Sequence, residues 1–169
     1  MNDLLQLLTK HTDDADAIES PDHVPLTYAR LSSQILRMGG ELRSISIAPD
    51  SRVAMVLPNG PLMASAFASL APWCTTAPLN PAYKSEEFEF YLQDLEASAL
   101  MVETGSESGA VEVAHRLRIR VIEIEEGEEA GSFSVGEAVA VEPARERNST
   151  ALILHTSGTT SRPKMVPKD

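Results

Sequence analysis

Apolar residues recur at steps of four and three early in the chain, which indicates one buried face of a helix. The residues of this face are Leu31, Ile35, Met38, Leu42 and Ile45. Thr27 precedes them and provides a hydroxyl suited to an N-cap. The pattern therefore predicts a first helix that begins after Thr27 and packs on one side only.

Short apolar runs and further helical patterns then alternate along the chain. Runs at 53–57, 75–77, 99–102, 118–124 and 151–154 predict strands, and patterns at 63–70, 88–95 and 110–116 predict helices. Ser85 is the expected N-cap of the third helix, and Glu86 and Glu87 fall in its first turn, as the helix dipole favours. Continuous apolar strands that alternate with helices predict an α/β fold with a mainly parallel sheet flanked by helices.

The stretch 125–149 separates this core, 26–124, from a last segment at 150–169. It contains mainly Gly, Glu and Ser with weak periodicity, and the glutamates from Glu123 to Glu129 are expected to form a solvated loop. Because so long a connection is uncommon in a compact domain, 133–141 is expected to contain a small element.

The composition narrows the class of protein. The chain has 169 residues, of which 43% are hydrophobic, and a formal net charge of −11, which argues against nucleic acid or an anionic membrane as partner. A single cysteine, Cys74, rules out an intrachain disulfide and is expected to be a buried structural thiol. No secretory signal or apolar stretch of membrane-spanning length is apparent, so an intracellular protein is expected.

A segment rich in hydroxyl groups follows the last predicted strand. Its sequence is His155-Thr156-Ser157-Gly158-Thr159-Thr160-Ser161-Arg162-Pro163-Lys164. Hydroxyls and backbone N–H groups can surround phosphate oxygens, Gly158 allows the main chain to approach closely, and Lys164 can offset negative charge. The segment therefore predicts a phosphate-binding loop rather than a linker.

This loop differs from two common nucleotide-binding motifs. In the pattern G-x-x-x-x-G-K-[ST], the second glycine would fall at Pro163 and the magnesium-binding hydroxyl at Met165. Proline has no N–H to donate, and a thioether is a poor ligand for Mg²⁺. A G-x-G-x-x-G fingerprint is absent from the sequence as well, so neither a Walker-type nucleoside triphosphatase nor a dinucleotide-binding Rossmann domain is indicated.

The loop resembles the signature Thr-Ser-Gly-Thr-Thr-Gly-x-Pro-Lys of the adenylate-forming superfamily, with Ser161 in place of the usual glycine. The whole run 155–164 and the stretches 77–83 and 86–92 are similar to the branch of oxalate–CoA ligases, and 53–59 resembles the first strand and turn of the family's sheet. The resemblance extends over nearly the whole chain and is weakest at 103–149. It implies that residues 1–169 are a partial N-terminal AMP-binding domain.

The resemblance also implies a chemistry. Members of the family activate a carboxylic acid with ATP and Mg²⁺ and then transfer the acyl group to a thiol, usually coenzyme A. The residues that would grip the β- and γ-phosphates are Thr156, Ser157, Gly158, Thr159, Thr160 and Lys164. The adenine and acid pockets, the magnesium ligand and the catalytic lysine of the family all lie later in the chain. No catalytic or metal-binding residue is therefore expected in this segment, and the chain is expected to be inactive without the remainder of the enzyme.

Three functions stay open at this point. The first is an N-terminal fragment of a ligase for oxalate or another small acid, and the second is a ligase for an aromatic or fatty acid of the coumarate type. The third is a non-catalytic nucleotide-binding or interaction module. A fragment that lacks its partner domain is expected to self-associate, and the cytoplasm or the peroxisome is the expected location.

Other candidate residues favour structural roles. His155 is expected to pack or to position the loop, and Arg162 is as well explained by an exposed position as by phosphate binding. Tyr83 and Trp73 are expected in the core or in a turn. Glu86 and Glu87 are adjacent on a predicted helix and therefore form a poor acid–base couple.

Overall fold

The helices occur where the apolar periodicity predicts them. A computed structural model describes residues 14–21, 23–136, 152–156 and 164–168 of the chain. Within these residues the helices are α1 (Tyr28–Ser44), α2 (Pro61–Leu70), α3 (Ser85–Asp94) and α4 (Gly109–Arg116). The predicted N-cap of α1 is confirmed, because the hydroxyl of Thr27 accepts a hydrogen bond from the Arg30 amide at 3.3 Å.

The strands form two sheets. Their bounds are β1 (Asp16–Ile18), β2 (Leu26–Thr27), β3 (Arg52–Val56), β4 (Thr75–Pro78), β5 (Ala99–Glu103), β6 (Arg120–Glu126), β7 (Phe133–Val135), β8 (Leu152–Thr156) and β9 (Lys164–Lys168). Strands β1 and β2 form a small antiparallel pair, and the others form a seven-stranded sheet in the order β7-β6-β5-β3-β4-β8-β9. The pairs from β6 to β8 are all parallel, whereas β7 and β9 are antiparallel to their neighbours at the two edges. The predicted α/β fold with a mainly parallel sheet is confirmed.

Each face of the sheet is covered by two helices. Along β3, Val53 and Met55 join a core with α1 and α2, whereas Ala54 and Val56 join a core with α3 and α4. Alternate residues of a strand point to opposite faces, so a continuous apolar run is needed when both faces are buried. This explains why residues 53–57 are apolar without interruption.

The order of the strands creates a crevice at one end of the sheet. From β3 the chain passes through α2 to β4 on one side, and from β4 it passes through α3 to β5 on the other side of β3. Helices α2 and α3 therefore leave β3 and β4 toward opposite faces. In open α/β sheets, ligands bind outside the carboxyl ends of the strands at such a reversal of strand order.

Two boundaries differ from the sequence-based expectation, and a third is confirmed in part. Lys84, not Ser85, is the N-cap of α3, because the Glu87 carboxylate accepts a hydrogen bond from the Lys84 amide at 2.9 Å and satisfies that end of the helix. The expected solvated loop at Glu123 is wrong, because β6 continues to Glu126 with Ile122 and Ile124 buried and Glu123 and Glu125 exposed. The small element expected in 133–141 is confirmed at its start by β7, and the residues after Gly136 lie outside the described part of the chain.

The last two strands also differ from the expectation. The last predicted strand extends two residues further, to Thr156, and an unpredicted strand, β9, follows at Lys164–Lys168. In the described residues, no helix combines the length and the apolar character needed to cross a bilayer.

Candidate phosphate-binding site

The candidate site lies where β3, β4 and β8 end. These strands are parallel neighbours, so their carboxyl ends meet at one edge of the sheet. Thr156 is the last residue of β8, and it is also the first threonine of the predicted phosphate-binding segment. The strand that precedes the segment is therefore a member of the central sheet, as expected for a loop supported by a rigid scaffold.

Antiparallel pairing between β8 and β9 brings the two ends of the segment together. Thr156 pairs with Lys164, and His155 pairs with Met165. The chain thus leaves the sheet at Thr156 and returns at Lys164. Predicted phosphate ligands Ser157, Gly158, Thr159 and Thr160 lie outside the described residues, and so does Arg162.

A tight turn follows β4 on the other side of β8. The Asn80 carbonyl accepts a hydrogen bond from the Tyr83 amide at 3.1 Å, and the Asn80 side-chain oxygen accepts one from the Ala82 amide at 2.9 Å. The Leu79 amide still donates to the Met55 carbonyl of β3 at 2.8 Å, so the turn begins directly at the sheet. Two independent hydrogen bonds therefore fix the backbone and the Asn80 side chain in one arrangement.

Tyr83, the last residue of this turn, packs against two aromatic residues of α3. The rings of Tyr83 and Tyr91 are stacked with centroids 4.8 Å apart, and Phe88 meets the Tyr83 ring edge-on at 5.9 Å. Burial raises the pKa of Tyr91 to about 12, and its hydrogen bond with Tyr83 adds to the shift. The expectation that Tyr83 belongs to a turn is confirmed.

A crevice of about 650 Å³ opens between α2 and the ends of β3 and β4. Met63, Ala64 and Phe67 of α2 form one wall, and Asn59 and residues 78–81 form the other. Charged side chains are lacking among these lining residues, all of which belong to the described chain. The crevice is therefore suited to uncharged chemical groups.

A second groove, of about 750 Å³, lies beside α1 and the strands β6 and β7, at the other edge of the sheet. Its two arginines are engaged by the protein: Arg30 forms an ion pair with Glu129 at 2.7 Å, and Arg37 donates to the Phe133 carbonyl at 2.8 Å. The Glu129 carboxylate raises the pKa of Arg30 through this hydrogen bond and through its charge. Since glutamates outnumber arginines in the groove, an anion would be repelled there.

The other candidate residues occupy structural positions. Cys74 is buried, and burial raises the pKa of its thiol to about 12, so the expected structural role is confirmed and a nucleophilic one is disfavoured. Trp73 is half-buried and donates from its indole nitrogen to the Ile35 carbonyl at 2.9 Å. The Glu87 carboxylate accepts a hydrogen bond from the Lys84 amide at the start of α3. Among the described residues, no group of His, Cys, Asp and Glu side chains could hold a metal ion.

Comparison with known proteins assigns nearly the whole chain to one enzyme family. The profile of the family described as AMP-binding enzyme matches residues 6–168. The chain is 37% identical to an oxalate–CoA ligase of Arabidopsis thaliana, over 99% of the chain and 34% of that protein. It is also 32% identical to a probable CoA ligase of Humulus lupulus, over 97% of the chain and 33% of that protein. The chain therefore spans about a third of the length of these relatives.

Solved structures share the fold. MatB of Rhodopseudomonas palustris superposes with a TM-score of 0.73 at 22% identity, over 99% of this chain and 34% of that one. The o-succinylbenzoate CoA synthetase of Bacillus subtilis, in complex with its acyl-adenylate intermediate, superposes with a TM-score of 0.71 at 23% identity, over 98% and 42% of the two chains. At this level of identity the similarity concerns the fold alone.

Proposed function

The chain belongs to the AMP-binding enzyme family, and from this premise we propose that it is the N-terminal part of an ATP-dependent carboxylic acid–CoA ligase. The observation that carries the proposal is the pairing of Thr156 with Lys164, since it sets both ends of a hydroxyl-rich segment at the carboxyl edge of the sheet. Relatives named as CoA ligases over nearly the whole chain support the same assignment.

The proposed reaction has two steps. A carboxylate oxygen of the acid attacks the α-phosphorus of ATP, the bond to the β-phosphate oxygen breaks, and an acyl-adenylate and pyrophosphate form. The sulfur of coenzyme A then attacks the acyl carbon, AMP leaves with the electron pair of the broken bond, and the thiol proton passes to the medium or to a base.

The part assigned to this chain is the binding of the β- and γ-phosphates. Thr156, Ser157, Gly158, Thr159 and Thr160 supply donors, and Lys164 supplies positive charge. Charge repulsion between a carboxylate and a triphosphate opposes the first step, and positioned donors and a cation reduce that repulsion and stabilise the pyrophosphate that leaves. Mg²⁺ would enter as the ion bound to the phosphates of ATP, because these residues have no carboxylate side chain to hold it.

Within this function we propose oxalate as the acid. The support is the 37% identity to an oxalate–CoA ligase and the similarity of 155–164 and 77–83 to that branch. The alternative is an aromatic or fatty acid, and the similarity to a probable CoA ligase of Humulus lupulus does not favour either class of acid. A non-catalytic module is the remaining alternative. The cytoplasm or the peroxisome is the proposed location.

The test is acid-dependent release of pyrophosphate with MgATP and coenzyme A. The polypeptide that the gene encodes in full and the chain 1–169 are each assayed with oxalate, malonate, 4-coumarate and palmitate. We expect turnover by the full polypeptide that is fastest with oxalate, and none by the chain alone. Preference for 4-coumarate or palmitate would overturn the oxalate proposal, and release with none of the acids would favour the non-catalytic module.

Self-association of the isolated chain is a separate proposal. Val24 and Leu36 are 61% and 58% exposed, and Met63 and Phe67 line an open crevice with apolar groups. Apolar surface of this kind favours association when its natural cover is absent. Size-exclusion chromatography at two concentrations tests this, and a monomer at both would contradict it.

A further inference from the structure

We propose that Asn80 is a further ligand of the nucleotide, and that its side-chain amide donates a hydrogen bond to a phosphate oxygen of ATP. This inference rests on the proposed function and adds to it a residue that lies outside the hydroxyl-rich segment. It follows from three properties of Asn80: its position in the sheet, the orientation of its amide and the rigidity of its turn.

The register of the sheet determines the position. Thr76 of β4 pairs with Leu152 of β8 in parallel. Thr156 lies four residues after Leu152 at the end of β8, and Asn80 lies four residues after Thr76, in the turn that begins two residues past the end of β4. Both residues are therefore at the carboxyl edge of neighbouring strands, which lie about 4.8 Å apart. On the opposite side of β8, Thr156 pairs with Lys164. Asn80 after β4, Thr156 at the end of β8 and Lys164 at the start of the antiparallel β9 therefore lie along one edge of the sheet.

The orientation of the amide leaves a donor available. The atom that accepts from the Ala82 N–H at 2.9 Å must be Oδ1, because a backbone N–H requires an acceptor. The Nδ2 group of Asn80 is then turned away from that bond, and the described part of the chain makes no hydrogen bond to it. Asn80 is exposed, so this donor is open to a ligand at the edge of the sheet.

The rigidity of the turn makes the donor effective. The Tyr83 amide bonds to the Asn80 carbonyl, the ring of Pro81 restricts the backbone, and the Tyr83 ring is stacked on Tyr91. A donor that is already held in place loses little conformational entropy when a ligand binds. Hydrogen bonds to a charged acceptor such as phosphate are also stronger than those between neutral groups.

Asn59 provides a matched control. It is an exposed asparagine at the same edge, and it follows β3, which lies one strand further from β8 than β4 does. Both asparagines line the crevice beside α2. If any exposed amide at this edge affected nucleotide binding, the two residues would behave alike, whereas the proposal assigns the effect to Asn80.

The test is a titration of the chain with MgATP, followed by ¹⁵N nuclear magnetic resonance. The expected result is a shift of the Asn80 side-chain NH₂ signals with the same dissociation constant as the backbone amides of Thr156 and Lys164, and no shift for Asn59. The variants Asn80→Ala and Asn80→Asp are expected to weaken MgATP binding at least about 10-fold, the cost of one hydrogen bond to a charged group. Asn59→Ala is expected to change the affinity less than about 2-fold.

The outcomes separate the two proposals. Asn80→Asp keeps the acceptor for Ala82 and therefore the turn, so its effect reports the lost donor and the added charge, and Asn80→Ala reports the lost donor without added charge. Shifts at Thr156 and Lys164 without one at Asn80, or wild-type affinity in both Asn80 variants, would overturn the inference alone. No shift at Thr156 and Lys164 would contradict the proposed phosphate site and, with it, the role of Asn80.

Discussion

Thr156 and Lys164 are paired in register across the β8–β9 hairpin, at the end of the hairpin that meets the carboxyl edge of the sheet. Lys168, on the same strand, pairs with Leu152 at the opposite end. The hairpin therefore has one lysine at each end of β9, and only Lys164 adjoins the proposed phosphate site.

This difference gives a prediction for the full-length protein, which we propose to be a ligase. Lys164→Ala should lower kcat/KM for MgATP by about 100-fold, the usual effect of removing one group that stabilises developing charge. Lys168→Ala should leave it within about 2-fold, because Lys168 is four residues further along β9, at the opposite end of the strand pair from the proposed phosphate site. Pyrophosphate release at varied MgATP measures both, and equal losses in the two variants would contradict the assignment of Lys164.

Gly39 and Gly40 of α1 should respond oppositely to alanine. A Cβ at Gly39 would lie 2.6 Å from Cε2 of the Trp73 ring, whereas at Gly40 the nearest atom is 4.0 Å away. Gly39→Ala should therefore destabilise the chain by about 1 to 3 kcal/mol through overpacking. Gly40→Ala should stabilise it by about 0.5 to 1 kcal/mol, because alanine favours the helix. Urea unfolding followed by Trp73 fluorescence gives both values, and a stable Gly39→Ala variant would show that the indole can move.

Cys74 should be unreactive in the folded chain. Its side chain is 4% exposed, and burial raises the pKa of the thiol to about 12. Ellman's reagent at pH 8 should modify Cys74 only after unfolding in urea, because the thiolate is the reactive form. Rapid modification of the native chain would contradict the burial of this residue.

The same pKa shift predicts how stability changes at high pH. An unfolded cysteine ionises near pH 8.5, so between about 8.5 and 12 the unfolded chain binds fewer protons than the folded one. The free energy of unfolding should therefore fall as the pH rises through this range. Cys74→Ala should reduce that slope, and urea midpoints at pH 7.5 and 10 for both chains measure the difference. An unchanged slope would assign the effect to other groups, such as Tyr91.

Gln34 should be needed for stability although it is polar. It is 4% exposed, its Nε2 donates to the Gly131 carbonyl at 3.3 Å, and its Oε1 accepts from the Phe133 amide at 3.1 Å. Gln34→Ala should cost about 1 to 3 kcal/mol, because the buried Phe133 amide loses its acceptor, whereas the Gly131 carbonyl keeps its hydrogen bond from the Ser65 hydroxyl. The exposed Gln93 of α3 is the control, and its alanine variant should stay within about 0.5 kcal/mol. Thermal unfolding of the two variants tests the comparison.

Much of the architecture could be predicted because burial imposes a period on the sequence. The face formed by Leu31, Ile35, Met38 and Leu42 is buried in α1, and the continuous apolar run at 53–57 corresponds to β3, which is covered on both faces. The end of β6 was predicted wrongly because this part of the sequence is rich in glutamate, which indicates a loop. In the structure Ile122 and Ile124 are buried and alternate with the exposed Glu123 and Glu125, so the strand continues.

Strand β9 could not be predicted from local pattern. Its five residues include Pro167 and begin and end with lysine, which is unfavourable for a central strand but tolerated at an edge. Only pairing with β8 makes it a strand. The relation of Asn80 to Thr156 was equally inaccessible, because it depends on the register between β4 and β8, which are far apart in the sequence.

The placement of β7 and β8 also bears on how such a protein can change through evolution. β7 ends at Val135 at one edge of the sheet, and β8 begins at Leu152 next to β4. When both ends of a connection are fixed by strand pairing, doubling its length costs only about 0.6 kcal/mol of closure entropy. A change in the number of residues between β7 and β8 therefore need not alter the pairing of β8 with β4 and β9, on which the position of the proposed phosphate site depends.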